Sequence, residues 1–340
     1  MKMKFKTVVS LLLALSMLLV LAVGCGTQAP AETQEKTTAA TTKAAEEVEK
    51  EITVGFVAFN MAFTWMQYAA ERVKKSAADA GIKLVVYDAN NDAAKQTSLI
   101  EDLIAQKVDG IITSPIDVKS MVPALEAADK AGIPVVTFDR RADGAPYFAF
   151  VGSDDRLGGS MIAAYIAQKL NGKGNVVEIV GQLGAGPTID RGEGFHEEIA
   201  KSADIKVVFS QSGKFEREAG MRVMEDAINA VGKDQINAVF AHNDDMMMGA
   251  IQAMKDAGMD LSKVITISYD GVPDSLKAIK AGEHEATLQY PVGMAGAAAT
   301  ILINYLKDGT KPEKVNDKID PWIIESGNLN TGDFFPELSK

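Results

Sequence analysis

From Ile52 onward the chain alternates short apolar runs with longer mixed stretches. Runs of four to eight residues rich in β-branched side chains, bounded by turn signals, predict buried strands; longer stretches with apolar residues every three to four positions predict helices. On that rule Ile52–Ala58, Leu84–Asp88, Gly110–Ser114 and Val135–Asp139 are strands, separated by helices at Trp65–Ala80, Ala93–Gln106 and Val118–Ala131. Asn175–Val180, Ile205–Ser210, Ala238–Ala241 and Val264–Ser268 are further strands, each followed by a helical stretch. Gly81, Gly132 and Gly258 stop helices, as a glycine free to turn left-handed does. Repeated βα units of this length imply parallel sheets with helices on both faces. The body from Glu51 to Lys340 is long for one core, so the predicted fold class is α/β with two doubly wound parallel-sheet lobes.

Ligands of open α/β sheets bind outside the carboxyl ends of the strands, which makes polar residues there the candidates for chemistry. The run Ile133-Pro134-Val135-Val136-Thr137-Phe138 stops at Asp139-Arg140-Arg141. A carboxylate accepts hydrogen bonds and a guanidinium fork donates several, which together suit the hydroxyls of a sugar. One such pair alone could equally be an exposed ion pair in a loop. Polar groups recur, however, at other strand ends: Asn243-Asp244-Asp245, Asp270, Gln289, and Arg191 beyond the loop Gly184–Asp190. Asp244 or Asp245 could instead cap the helix running to Asp256. Phe63, Trp65, Phe215 and Tyr269 stand at element boundaries, where a ring can face the C–H side of a sugar or pack into the core.

Composition and charge narrow the setting. Lys2, Lys4 and Lys6 precede an apolar run, Val8–Val23, broken only by Ser10 and Ser16 and followed by Gly24-Cys25. This reads as an export signal over residues 1–24. Cys25 is the one cysteine in the chain; it cannot close an internal disulfide and fits the lipid acceptor of a lipobox, Ala22-Val23-Gly24-Cys25. Leu21 lies one place before the usual leucine position of that motif. Two acyl chains on Cys25 would anchor the protein stably. Residues 25–50 are mostly Thr, Ala, Glu, Gln and Lys, interrupted by Pro30 and without apolar pattern, the composition of a disordered tether. The net charge is -11, and removal of three lysines with residues 1–24 makes it -14. Such a balance repels nucleic acid and anionic lipid, so membrane attachment is expected through the lipid anchor only.

Six segments carry a resemblance to a known family: Asn90-Asn91-Asp92, Thr137-Phe138-Asp139-Arg140, Asp190-Arg191-Gly192-Glu193-Gly194-Phe195, Ala241-His242-Asn243-Asp244-Asp245-Met246, Asp270-Gly271-Val272-Pro273-Asp274 and Gln289-Tyr290-Pro291. From Ile52 to about Leu329 the chain resembles the type I periplasmic-type sugar-binding proteins, the ligand receptors of ABC importers. Within them it is most similar to the galactofuranose-binding branch, sharing also Ser210-Gln211-Ser212-Gly213. The resemblance implies that Asp139 and Arg140 hold hydroxyls from one lobe and Arg191, Asn243 and Asp270 from the other. Gln289 would lie on the hinge side, Phe215 would form an apolar wall, and Trp65, with Phe63 nearby, would lie under the sugar. It implies a three-segment hinge near Ser153–Asp155, Gln289–Pro291 and Asp320. The first lobe would then comprise 51–153 with 290–319, and the second 154–289 with 320–330.

Met66 departs from both the galactofuranose and the ribose branches, and Asn60–Thr64 matches neither, which leaves the sugar open between pentose, hexose and furanose forms. Inositol, a nucleoside or a signalling furanose is the alternative ligand, and presentation to a chemoreceptor an alternative role. The expected partners are the small-molecule sugar and a simple-sugar ABC permease with its ATPase, the receptor itself being a monomer outside the cytoplasmic membrane. No catalytic residue, metal ligand or cofactor is predicted. Gly181–Gly186 lacks the G-x-G-x-x-G spacing of a dinucleotide loop. A sugar-responsive repressor of this fold would need an N-terminal helix-turn-helix, and the export signal occupies that place.

Overall fold

A computed structural model describes residues 51–313 and 315–329; the predicted signal, Cys25 and the tether lie outside them. In chain order the elements are β1 Thr53–Ala58, α1 Thr64–Asp79, β2 Lys83–Asp88, α2 Ala93–Ala105, β3 Gly110–Thr113, α3 Val122–Lys130, β4 Val135–Phe138 and β5 Ala149–Ser153. There follow α4 Asp155–Lys169, β6 Lys173–Val180, α5 Gly186–Ile199, β7 Asp204–Ser212, α6 Arg217–Val231, β8 Ala238–Ala241, α7 Asp244–Asp256, β9 Ile265–Asp270 and α8 Pro273–Lys280. β10 Ala286–Gln289, α9 Gly293–Asp308, β11 Asn316–Ile319 and β12 Ile323–Glu325 complete the described chain.

Two six-stranded sheets result, with strand orders β2-β1-β3-β4-β5-β11 and β7-β6-β8-β9-β10-β12. Each sheet reverses direction beside its first strand, the arrangement that opens a ligand crevice at the strands' carboxyl ends. Pairing is parallel except that β12 runs antiparallel to β10. The α/β class, two lobes and three crossings are therefore observed. The chain passes between sheets from β5 to α4, from β10 to α9, and from β11 to β12.

Gly81, Gly132 and Gly258 adopt φ of 69°, 72° and 66° after α1, α3 and α7, the left-handed stops expected of them. The third helix starts four residues later than its periodicity suggests. Asp117 Oδ1 instead accepts from the backbone N–H of Lys119 and Ser120. The N–H of Val118 donates to Gly184 O of the other lobe at 3.2 Å, so this turn serves the lobe interface. The strands β5 and β11 were not anticipated by the apolar pattern, β11 because Asn316-Asp317-Lys318-Ile319 is a polar edge strand.

Candidate functional site

The carboxyl ends of both sheets converge on one cavity, the edge at which ligands of open α/β sheets bind. From the first lobe it is lined by Phe59, Phe63, Trp65, Asp139 and Arg140; from the second by Pro187, Arg191, Phe215, Asn243, Asp245 and Asp270; and from the crossing after β10 by Tyr290. Eight of the nine ligand-binding residues expected from the sequence are thus brought together. Gln289 lies just behind, paired with Asp270 across β9 and β10. It is fully buried, and neither atom of its amide has a partner among the described residues.

In the first lobe, β4 ends at Phe138 and is followed by Asp139, whose backbone turns left-handed at φ 62°. The carboxylate is held from two sides, accepting from Ser114 Oγ at 2.7 Å and from Tyr290 Oη at 2.9 Å. Arg140 is 3% exposed. It lies 3.5 Å from Asp139 through Nε, donates Nη1 to Ile116 O at 3.0 Å, and covers the Phe59 ring at 3.8 Å. Burial pushes this guanidinium below its usual range, with Asp139 opposing that shift. Its Nε has no hydrogen-bond partner among the described residues, so a donor remains for a ligand oxygen.

In the second lobe, Arg191 on α5 points back along the helix pair α4–α5. Glycines bring these helices together: a Cβ on Gly159 would meet Arg191 O, and one on Gly194 would meet Arg156 O. That close approach sets Arg191 Nε 2.8 Å from Asp155 Oδ1, with Nη1 donating to His242 O at 2.5 Å. The guanidinium also stacks 3.7 Å from the Tyr269 ring and 4.6 Å from Tyr290. Burial opposes its charge, yet Asp155 and the surrounding Tyr269, Tyr290 and Asp270 push its pKa upward. Asp155 is pushed up to about 6 by burial, the Arg191 charge pulling the other way. His242 is fixed from beneath by Glu178, Oε1 to Nε2 at 3.0 Å.

Asn243, not Asp244 or Asp245, caps α7. Its Oδ1 accepts from Met246 N–H at 3.0 Å and its Nδ2 donates to Phe215 O at 3.2 Å, which leaves one amide hydrogen for the cavity. Asp244 is fully buried and bonds elsewhere, accepting from Ser268 Oγ, from Thr287 Oγ1 at 2.7 Å and from the N–H of Gly271 and Val272 at 2.8 Å. It thereby holds the loop that begins at Asp270, where φ is 122°. Burial pushes Asp270 well up, with the Asp244 charge adding to the shift and Arg191 opposing it. Phe215, at φ 65°, completes the apolar wall. Non-glycine residues rarely hold positive φ, and strain of this kind gathers where geometry serves a site.

Trp65 donates Nε1 to Tyr290 O at 2.9 Å, its ring 5.2 Å from the Tyr290 ring, so it anchors the hinge as well as lining the cavity. Tyr269 packs beneath Arg191 rather than on the cavity wall. Sequence reasoning missed Phe59, Asp155, Pro187 and Tyr290 as site components, and left Asp245 open between a strand-end group and a helix cap. Tyr290 adjoins the Gln289 position and could have been found there; Asp155 pairs with a residue 36 positions away, a relation no local pattern reveals. The lobes meet across the cavity: Thr64 Oγ1 donates to Asp245 Oδ1 at 3.4 Å, and Arg141 pairs with Asp190.

Comparison with known proteins agrees with this geometry. Residues 54–311 match the model of a family described as a periplasmic binding protein domain. The galactofuranose-binding protein YtfQ of Escherichia coli K12 is 40% identical over 270 residues, covering 78% of this chain and 85% of the relative. The ribose import binding protein RbsB of Bacillus subtilis 168 is 37% identical over 266 residues, with the same shares covered. A crystal structure of a galactofuranose binding protein superposes with a TM-score of 0.79 at 37% identity, covering 82% of this chain and 96% of that one.

Proposed function

The chain belongs to the periplasmic binding protein domain family, and from that premise we propose that it captures a monosaccharide between its lobes and delivers it to an ABC importer without chemical turnover. The observation that carries this is the convergence of both lobes on one cavity, Asp139 and Arg140 from the first and Arg191, Asn243 and Asp270 from the second, beside aromatic walls. Carboxylates and guanidiniums supply the charge-assisted acceptors and donors that hydroxyls need, and the rings offer C–H contact. The relatives named for galactofuranose and ribose support a pentose or hexose, in pyranose or furanose form. A micromolar Kd corresponds to about -8 kcal/mol, or about 0.7 kcal/mol for each of the roughly 12 heavy atoms of a hexose, within reach of a small ligand in a closed site.

Asp139, Arg140, Arg191, Asn243 and Asp270 hold hydroxyls; Trp65, Phe63 and Phe215 flank the ring; Gln289 turns its unpaired amide to the ligand from behind Asp270. The lobes divide at residues 153/154, 289/290 and 319/320, and ligand stabilises the closed form by its differential affinity for it. Cys25 carries the lipid, holding the mature protein outside the cytoplasmic membrane, and Cys25→Ser should release it from the membrane fraction. A thermal-shift screen of the full chain against aldopentoses, aldohexoses, ketoses and inositols tests the reading. A ligand at a hundredfold excess over Kd stabilises the folded state by about 2.7 kcal/mol. A shift with one or two sugars is expected; none with any sugar overturns the assignment.

A further inference from the structure

The groups that reach the ligand from the two lobes are joined through the hinge by a single hydroxyl. Tyr290 lies on the crossing between β10 and α9, and its Oη is 2.9 Å from Asp139 Oδ1 and 3.3 Å from Asp155 Oδ2. Asp155 opens α4, directly after the crossing from β5. Two of the three crossings therefore meet at the tyrosine. From there the contacts run outward to both lobes: Asp139 Oδ2 to Ser114 Oγ at 2.7 Å in the first, Asp155 Oδ1 to Arg191 Nε at 2.8 Å and Arg191 Nη1 to His242 O at 2.5 Å in the second. Every charged or phenolic member of this chain is at most 5% exposed.

A buried network of this kind acts as a unit, because low local dielectric strengthens each bond and makes each loss costly. The third crossing is fixed differently, through its own backbone carbonyls: Ser153 Oγ donates to Ile319 O at 3.0 Å and Gln289 N–H to Trp322 O at 2.8 Å. A second pocket adjoins the first and shares Asp139 and Pro187 with it; Asp155, Asp190, Arg141 and Lys318 also line it. Asp155 therefore faces this pocket and supports Arg191 from behind.

Resting on the reading of the cavity as a sugar site, we propose that Tyr290 and Asp155 are positioning residues that tie Asp139 of one lobe to Arg191 of the other, so that both ligand-holding groups are aimed together by the hinge. Neither needs to touch the sugar through the atoms that do this. Their effect is to make the orientation of one carboxylate and one guanidinium a single event coupled to closure.

The test uses the full chain as wild type, Tyr290→Phe, Asp155→Asn and the double variant. Affinity is measured calorimetrically for whichever of D-galactose, D-ribose, L-arabinose or myo-inositol most raises the wild-type melting temperature. Tyr290→Phe removes one oxygen and keeps the ring that packs on Trp65, so the ligand-free protein should stay folded with a modestly lowered melting temperature, the two carboxylates having lost one donor. Its affinity should fall about ten- to a hundredfold, the range for losing a hydrogen bond to a charged group. The double variant should lose little more than the weaker single variant, since members of one network are not additive. Binding by Tyr290→Phe within twofold of wild type, or losses that multiply in the double variant, would overturn the proposal. Should no probe shift the wild type, the sugar reading fails on that result alone. The hinge network is then decided by small-angle scattering of ligand-free protein: a larger radius of gyration in Tyr290→Phe supports it and an unchanged one refutes it.

Discussion

Each lobe brings an arginine to the cavity, and the Asp–Arg pairs to which these arginines belong are built in opposite ways. Asp139 and Arg140 are neighbours in sequence, only loosely paired at 3.5 Å through Nε; the carboxylate is held by Ser114 and Tyr290, and that Nε makes no hydrogen bond among the described residues. Asp155 and Arg191 come from different helices and are tightly joined at 2.8 Å. Burial lowers the pKa of Arg140, whereas its surroundings raise that of Arg191. The difference teaches that one pair is left available for a ligand while the other is largely consumed by the fold, although both arginines line the same cavity.

Breaking the second pair should cost the most. Arg191→Ala leaves Asp155 buried without its counter-charge, and losing one partner of a buried pair typically costs about 3–5 kcal/mol; chemical denaturation should show that loss in the ligand-free protein. Arg140→Ala should reverse the emphasis. Asp139 keeps two donors, so stability falls less, while ligand affinity should drop by about 2–5 kcal/mol, as for truncation of a buried, hydrogen-bonded charge at an interface. Equal stability losses in the two variants would erase the contrast drawn between the pairs.

Acidity sharpens it further. Burial pushes the Asp155 carboxyl up from the ordinary carboxylate range to about 6, so the folded state favours the protonated form. The stability this contributes is present below about pH 4 and is lost as pH rises through about 6. Arg140, Arg191, Asp139, Asp190, Tyr269 and Tyr290 face the group. The stability of Asp155→Asn relative to wild type should therefore improve between pH 4 and pH 7, in paired melting curves. A difference independent of pH would contradict the assignment of that titration to Asp155. The smallest effect is expected at the rim. Arg141 and Asp190 are about 30% exposed, and Arg141→Ala should weaken binding by no more than about 1 kcal/mol, less at high salt.

The same contrast explains what was legible in the sequence. Asp139-Arg140 could be read because a buried apolar run ends on it, and Asn243, Asp270 and Gln289 for the same reason. Strand ends are local features, and α/β topology places them on one edge. Phe63, Trp65 and Phe215 were legible as rings at element boundaries, their place beneath a sugar coming from family resemblance. Asp155 could not be read, since its meaning depends on the packing of α4 against α5 through Gly159 and Gly194. Asp244 stayed open between a strand-end group and a cap, because its role, gathering four donors around the Gly271 turn, is likewise set by tertiary structure. The edge strand β11 was missed because its polar residues carry no burial signal.

The central claim is reversible capture of one sugar by both lobes without turnover, and isothermal titration of the full chain with the sugar found by thermal shift tests it most directly. The account predicts a single site per chain, a Kd near the micromolar range and injection heats that return to baseline, with the signal abolished in Asp139→Ala. A sustained heat flow after each injection would reveal turnover, and an unchanged isotherm in Asp139→Ala would place the ligand elsewhere; either result would contradict it.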